Sequence, residues 1–234
     1  MRPMHIDAAL LREGLSALSL PPEGALAEGL VRYLEEIERL NPALGLVGAS
    51  GDELVVKHAL DSLAPAALIG RLSSAAAAAR VAKEGGGPSA ARPRIADLGS
   101  GAGLPGIPLA LAFPDADVSL IDRMARRTDF LRSACELLRL DNARVVEEQV
   151  ERVKGSWDLV TFRAFRPFER KLFKRVFALC DTAGCVVAYK GKAERARAEL
   201  GAIEGLYSSV EIVSVGVPFL PDERCVVVMR PARA

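Results

Sequence analysis

The chain is predicted to fold as an α/β protein: a mostly parallel, Rossmann-like sheet with helices on both faces, closed by a C-terminal antiparallel hairpin and preceded by a helical N-terminal segment. Three observations carry this. From Arg94 onward, apolar runs of strand length alternate with helical patterns, the rhythm of a sheet built from crossover helices. The first run enters a glycine-dense turn, Gly99-Ser100-Gly101-Ala102-Gly103-Leu104-Pro105-Gly106. The last two runs, 210–217 and 224–229, are separated only by residues 218–223, too short a link for a crossover helix, so they pair antiparallel.

In order along the chain, residues 7–18 and 22–40 are helical. Leu26, Leu30, Tyr33, Leu34, Ile37 and Leu40 form one apolar stripe, with Glu23, Glu28, Glu35, Glu36 and Glu38 mostly off it. Asn41-Pro42 is expected to end that helix, because proline disfavours helix in the residue before it. Residues 45–52 form a loop by composition and 53–63 a further helix, on which His58 and Asp61 share a face. Alanine-rich and glycine-rich stretches at 73–93 are expected to fray from a helix into a flexible connector. The expected organisation is therefore 1–72 helical segment, 73–93 connector and 94–234 sheet domain. Within the last, strands are expected at 94–98, up to Asp122, from 143, at 157–162 and at 185–189, alternating with helices at 105–113, 124–140, 167–180 and 193–203.

A chain of 234 residues, half of them hydrophobic, has enough apolar surface for one sizeable core and a smaller attachment. No apolar run has membrane-spanning length, and residues 1–11 carry Arg2, His5 and Asp7, unlike a signal peptide. A cytoplasmic protein with no membrane partner is expected. Cys135, Cys180, Cys185 and Cys225 show no CxxC spacing and are read as reduced, buried thiols with no metal. The net charge is +1, but residues 1–60 carry five Lys/Arg against nine Asp/Glu, whereas residues 120–200 carry eighteen against twelve. An anionic partner would meet the middle of the chain, although charges on helix faces ordinarily serve only solvation.

The glycine turn is the chemical centre. Glycines remove Cβ where backbone must turn sharply and approach a ligand, and Pro105 suits a first helical turn. Asp97, at a strand's carboxyl end, faces the crevice where open α/β sheets bind ligands, and Asp122, closing the next strand, is placed to accept ribose hydroxyls or to cap the helix that follows. Gly101-x-Gly103-x-x-Gly106 satisfies a dinucleotide fingerprint, while Asp97-x-Gly99-x-Gly101-x-Gly103 resembles the S-adenosylmethionine loop of class I methyltransferases. The glycines do not decide between a nicotinamide-dependent oxidoreductase and a methyltransferase. The hairpin favours the methyltransferase sheet, since the common nicotinamide fold closes with a sixth parallel strand. A Tyr-x-x-x-Lys or histidine set near the crevice is also not evident.

Separated blocks then make a resemblance specific. They are His58-x-x-Asp61-Ser62-Leu63; Asp97 through Ala110, with the run Leu104-Pro105-Gly106-Ile107-Pro108; Leu120-Ile121-Asp122 with Arg126-Arg127 and Phe130-Leu131; Val150-Glu151; Arg163-Ala164; Lys190-Gly191; and Glu223-Arg224. Over residues 41–230 the chain is similar to the bacterial small-subunit ribosomal RNA guanine-N7 methyltransferases, the glucose-inhibited division protein B family. The resemblance implies S-adenosylmethionine as cofactor, with Gly99 and Leu104 lining it, Val150 and Glu151 at its adenosine end, and Arg163 bordering cofactor and target base. Asp97, Gly101, Gly103 and Asp122 join this set from their positions. Three departures stand out: Gly45-Leu46-Val47 where relatives usually have Asn-Leu-Thr, Gln149 where many have a basic or small residue, and the connector, which looks like an insertion.

The implied reaction moves a methyl group to N7 of a guanine in 16S ribosomal RNA, either bare or within the small subunit or an assembly intermediate; another RNA is the alternative acceptor. Guanine N7 carries an in-plane lone pair, so no general base is expected, and Arg163 is read as a positioning residue able to donate to the guanine O6 edge. Arg123, Arg126, Arg127, Arg166 and Lys190 are candidate phosphate contacts. His58 either braces the N-terminal helices or faces RNA.

Overall fold

A computed structural model describes residues 6–87 and 91–232. Seven strands form one sheet in the order β3-β2-β1-β4-β5-β7-β6. They are β1 Arg94–Leu98, β2 Asp117–Asp122, β3 Ala143–Glu147, β4 Trp157–Arg163, β5 Cys180–Lys190, β6 Tyr207–Ser214 and β7 Cys225–Pro231. The first five run parallel, and β7 inserts antiparallel between β5 and β6. This is the predicted hairpin, and it removes the nicotinamide topology, which has no antiparallel strand there. Chain order reverses between β1 and β4, so the carboxyl ends of these neighbours diverge into a crevice.

The central strands are buried on both faces, as a covered parallel sheet requires: on β4, Leu159 packs into one core, Val160 and Phe162 into the other. Three helices cover the first face, α5 (Ala66–Lys83), α6 (Gly106–Ala112) and α7 (Ala125–Leu138). The second face is covered by α8 (Arg170–Ala178) and α9 (Ala193–Leu200), which bury Leu172, Phe173, Val176, Phe177 and Ala196.

The N-terminal helices are α1 (Ala8–Ala17), α2 (Ala25–Leu44) and a continuous helical stretch made of α3 (Asp52–Leu54), a π-helical middle (Val55–Leu60) and α4 (Asp61–Leu63). Asp7 caps α1, accepting from the amides of Ala9 and Leu10, both at 2.9 Å. The apolar stripe of α2 is buried from Leu26 through Ile37, with Leu40 at its end half-buried, while Glu38, expected on the solvated side, is buried and accepts from the Gly51 amide at 2.9 Å.

Two expectations are corrected. Helix α2 does not stop at Asn41-Pro42; it carries Pro42 in its last turn and ends at Gly45, whose left-handed backbone forms the C-cap. Asn41 makes this workable by clasping the following loop, donating to the Val47 carbonyl at 2.8 Å and accepting from the Val47 amide at 2.9 Å. Residues 73–83 are not a connector either. They continue α5 across β4 and β5, and Arg80 on its last turns holds the buried Asp158 of β4 with two bonds of 2.9 and 3.0 Å. The sheet layer thus begins at Ala66, inside the segment expected to stand apart. Of the remaining stretch, residues 88–90 lie outside the described residues. The thiols differ in one respect: Cys185 and Cys225 are buried, whereas Cys135 and Cys180 are only half-buried.

Candidate active site

Two cavities open side by side above the carboxyl ends of β1 and β4. One, of about 510 Å³, is lined by Gly99, Asp122, Arg123, Glu148, Val150 and Glu151 among others. The second, of about 660 Å³, is lined by Lys57, His58, Asp61, Arg163, Tyr189 and Arg224 among others. Ala164, Phe165 and Arg166 belong to both and form the wall between them.

The first chamber rests on the glycine turn. Gly99 and Gly101 have φ of 69° and 59°, a left-handed backbone costly for residues with a Cβ. The turn is tied to β2 at several points: the amides of Gly99 and Ser100 donate to the Ile121 carbonyl at 2.8 and 3.0 Å. Asp122 accepts from the Gly101 amide through one oxygen and from the Met124 amide through the other, each at 2.9 Å. Asp122 therefore ties the glycine turn to the entry of α7, whose N-cap is Met124, and walls the chamber. Arg127 stands 3.7 Å away. A carboxylate offers about four acceptor sites, so capacity is left for ligand hydroxyls.

Asp97 lies beneath the turn, fully buried, and ties its two ends together: one oxygen accepts from the Ser100 hydroxyl at 2.6 Å and the Gly106 amide at 3.0 Å. Its other oxygen has no hydrogen-bond partner among the described residues. Burial lifts this carboxyl to about 6, against the pull of those two bonds. From above, the buried Tyr33 hydroxyl of α2 donates to the Ala102 carbonyl at 2.5 Å.

The nine residues expected at the cofactor thus separate. Gly99, Asp122, Val150 and Glu151 line the first chamber and Arg163 the second. Asp97, Gly101, Gly103 and Leu104 line neither; they shape the turn from behind. Leu104 is buried in the core, and a Cβ on Gly103 would meet Ile107 at 2.6 Å, because the chain there turns back into the protein.

Three of the five expected phosphate contacts have acidic partners within the protein. Arg127 faces Asp122, Arg166 pairs with Glu151 beside the first chamber, and Lys190 binds Glu199 at 2.6 Å. The Lys190 ammonium also sits 4.1 Å from the centre of the Phe168 ring. These cations hold chamber walls. Arg123 and Arg126 are exposed beside the crevice.

In the second chamber, Arg163 is held by the N-terminal segment. One of its terminal nitrogens donates to the Lys57 carbonyl at 3.0 Å and the Asp61 carboxylate at 2.8 Å, and the other faces His58 Nδ1 at 2.9 Å. Arginine is always a donor, so Nδ1 accepts and the His58 proton sits on Nε2. Burial, and then the Arg163 charge, push the His58 pKa down to about 4. His58 accordingly braces the guanidinium as a neutral ring. Asp61, 7% exposed, also accepts from Arg224 at 3.1 Å, and the Tyr189 hydroxyl donates to the Ser62 carbonyl at 2.7 Å. Of the five N–H groups of Arg163, three are engaged in this clasp. Nε and one terminal proton are left for a ligand.

Sequence reasoning singled out Arg163 but not its holders. Asp61 and Arg224 lay in the quoted blocks without a role; Tyr33 read as one more residue of an apolar stripe, though a hydroxyl there needs a buried partner.

The family model described as rRNA small subunit methyltransferase G matches residues 26–226. A "Ribosomal RNA small subunit methyltransferase G" from Nitrosococcus oceani is 34% identical over 233 residues, covering 98% of this chain and 97% of the relative. A protein of the same description from Treponema pallidum is 34% identical over 223 residues, covering 92% and 90%. Among solved structures, a tRNA methyltransferase from Aquifex aeolicus superposes with a TM-score of 0.54 at 13% identity, covering 75% of this chain and 69% of that one; the shared feature is the class I methyltransferase fold.

Proposed function

We propose that this chain, which belongs to the rRNA small subunit methyltransferase G family, transfers a methyl group from S-adenosylmethionine to N7 of one guanine in 16S ribosomal RNA. The observation that carries this reading is the pair of chambers meeting at one thin wall, one built on a glycine turn with a carboxylate, the other around a clasped arginine. The residues of the first chamber suit the cofactor. Asp122 keeps acceptor capacity for ribose hydroxyls, Val150 gives an apolar surface for an adenine ring, Glu151 an acceptor at its edge, and Gly99 a bare backbone. When bound, S-adenosylmethionine supplies an electrophilic methyl on its sulfonium sulfur.

The second chamber would then receive the guanine. N7 needs no proton removed, and the chamber's side chains suit that chemistry. Asp61 is occupied by two arginines, and His58 offers Nδ1 only to Arg163. The two unengaged N–H groups of Arg163 donate to the guanine O6 edge. Because the guanidinium is fixed from behind, it orients the base rather than following it, and such alignment is the main source of rate in a displacement of this kind. Arg123 and Arg126 meet phosphate, adding affinity without sequence choice.

The test is transfer of labelled methyl from S-adenosylmethionine to small-subunit ribosomal RNA, with bare RNA and isolated subunits compared and the product mapped by cleavage at N7-methylguanine. One modified guanine is expected, and the better substrate identifies the assembly state recognised. Label in another RNA, or at another atom, would overturn the substrate reading while leaving the cofactor chamber intact.

A further inference from the structure

The wall between the chambers is unusual in what it is made of. Phe165 lies two residues past the end of β4, and one edge of its ring is set against Gly99: a Cβ on Gly99 would stand 2.5 Å from Phe165 Cδ2 and 2.9 Å from Cε2. The ring therefore covers the bare backbone that the first chamber offers its ligand. It is only half-buried, whereas Phe162, Phe168 and Phe173 beneath it are buried. Its preceding residue, Ala164, has φ of 49°, a left-handed backbone that costs a non-glycine residue about 1–2 kcal/mol. Strain of this kind gathers in ligand clamps and switches. Ala164 itself is bounded by Arg163, fixed by its clasp, so rotation at 164 moves the ring while leaving the guanidinium in place.

A base entering the second chamber needs an aromatic face to stack on once it leaves its own stack. Four of the residues lining it carry aromatic rings: His58, Phe162, Phe165 and Tyr189. Phe162 is 1% exposed, and Tyr189 is 7% exposed with its hydroxyl tied to Ser62. His58 is held by Arg163 through Nδ1 with its Nε2 buried, so among these rings Phe165 alone is both partly exposed and held by no hydrogen bond. Ring and cofactor compete for the same side of Gly99, and the ring's other neighbour is the base chamber.

We propose that Phe165 is a gate shared by the two chambers, displaced from Gly99 by the cofactor and thereby set as the stacking wall for the target base, so that cofactor binding promotes RNA binding. This rests on the functional reading above, which assigns the chambers their ligands. Arg166 moves with the gate: its guanidinium lies 5.4 Å from the Phe165 ring centre, and it pairs with Glu151 on the far side of the first chamber.

The test uses S-adenosylhomocysteine as the cofactor probe in calorimetry and small-subunit ribosomal RNA as the RNA probe in filter binding, each measured with and without the other. In the wild-type chain S-adenosylhomocysteine is expected to raise RNA affinity roughly tenfold, a coupling of ordinary allosteric size. In Phe165→Ala, S-adenosylhomocysteine binds at least as tightly, the coupling disappears, and turnover falls; Phe165→Tyr restores both. Ala164→Gly relieves the strain of the resting gate and weakens S-adenosylhomocysteine roughly fivefold, a second readout that does not depend on losing the ring. Weaker S-adenosylhomocysteine binding in Phe165→Ala with the coupling intact would make the ring a fixed wall and overturn the gate alone. Failure of the wild-type chain to bind S-adenosylhomocysteine or the RNA would remove the functional reading, and the gate with it.

Discussion

Replacing His58 with Asn removes a titrating group while keeping an acceptor close to where Nδ1 meets Arg163. The folded protein holds His58 at about 4 against 6.5 for a free imidazole, through burial first and the Arg163 charge second. The folded pKa is depressed, so between those values the unfolded chain binds more protons and wild-type stability falls as pH falls. At about 1.4 kcal/mol per pKa unit, the full penalty is roughly 3 kcal/mol below pH 4, and about 2 kcal/mol is already lost at pH 5. Asp97 acts with the opposite sign: raised to about 6 from 3.8, it favours the folded state as pH falls through the same window. Wild-type stability alone would therefore hide both effects. The difference between His58→Asn and wild type cancels Asp97, and it should grow in favour of the variant by about 2 kcal/mol between pH 7.5 and pH 5. Urea unfolding followed by Trp157 fluorescence measures this, since the single tryptophan is buried on β4. A difference that stays flat, or shrinks on acidification, would refute the neutral, Arg163-facing His58.

Three further substitutions probe the joints around the site. Asp61→Asn leaves Arg163 and Arg224 sharing a neutral partner; kcat/KM for RNA should fall roughly tenfold, or more, while S-adenosylhomocysteine affinity by calorimetry stays near wild type. Tyr33→Phe strips the buried Ala102 carbonyl of its donor and should cost about 1–2 kcal/mol in urea unfolding, with S-adenosylhomocysteine affinity lowered about fivefold as the turn loosens. Asp158→Asn leaves the nearly buried Arg80 with only the exposed Glu84 as charge partner, and the Arg94 amide without a carboxylate acceptor at 2.8 Å. Stability should drop by about 3 kcal/mol, with cofactor affinity at permissive temperature unchanged because the pair sits at the far end of the sheet.

The sheet was legible because its signals are local. Apolar runs such as 157–162 and the six-residue link at 218–223 mark the strands and the hairpin with little help from elsewhere. Strand β5 begins five residues earlier than its apolar core, at Cys180 opposite Trp157, and its pairing with β4 then shifts across a bulge before Cys185 takes up Leu159, an irregularity that side-chain pattern does not report. The Pro42 helix end and the reach of α5 also escaped, since both depend on tertiary partners: the Asn41 clasp in one case, Asp158 in the other. At the site, sequence reading identified the residues whose backbone makes a turn or whose position ends a strand. It could not tell that Asp97 and Leu104 face inward, or that Arg127, Arg166 and Lys190 are held by Asp122, Glu151 and Glu199. Those facts depend on which carboxylates folding brings near.

The N-terminal helices explain why both chambers have the shape they do. Nothing in the sheet alone would hold Arg163 at the end of β4; its three protein contacts come from Lys57, His58 and Asp61. Nor would the sheet fix the crest of the glycine turn, where Ala102 is held by Tyr33. One helical layer thus grips both sides of the wall, the glycine turn through Tyr33 and Arg163 through Asp61. The π-helical register of residues 55–60 serves the second grip, since Lys57 and His58 both reach Arg163 from within it. A π-turn widens the helix and leaves carbonyls off the ordinary ladder, which suits the use of the Lys57 carbonyl as an acceptor for a side chain from the sheet. The helical layer and the sheet build these two chambers together, and a truncated chain beginning at Arg94 should retain the strand pattern but neither grip.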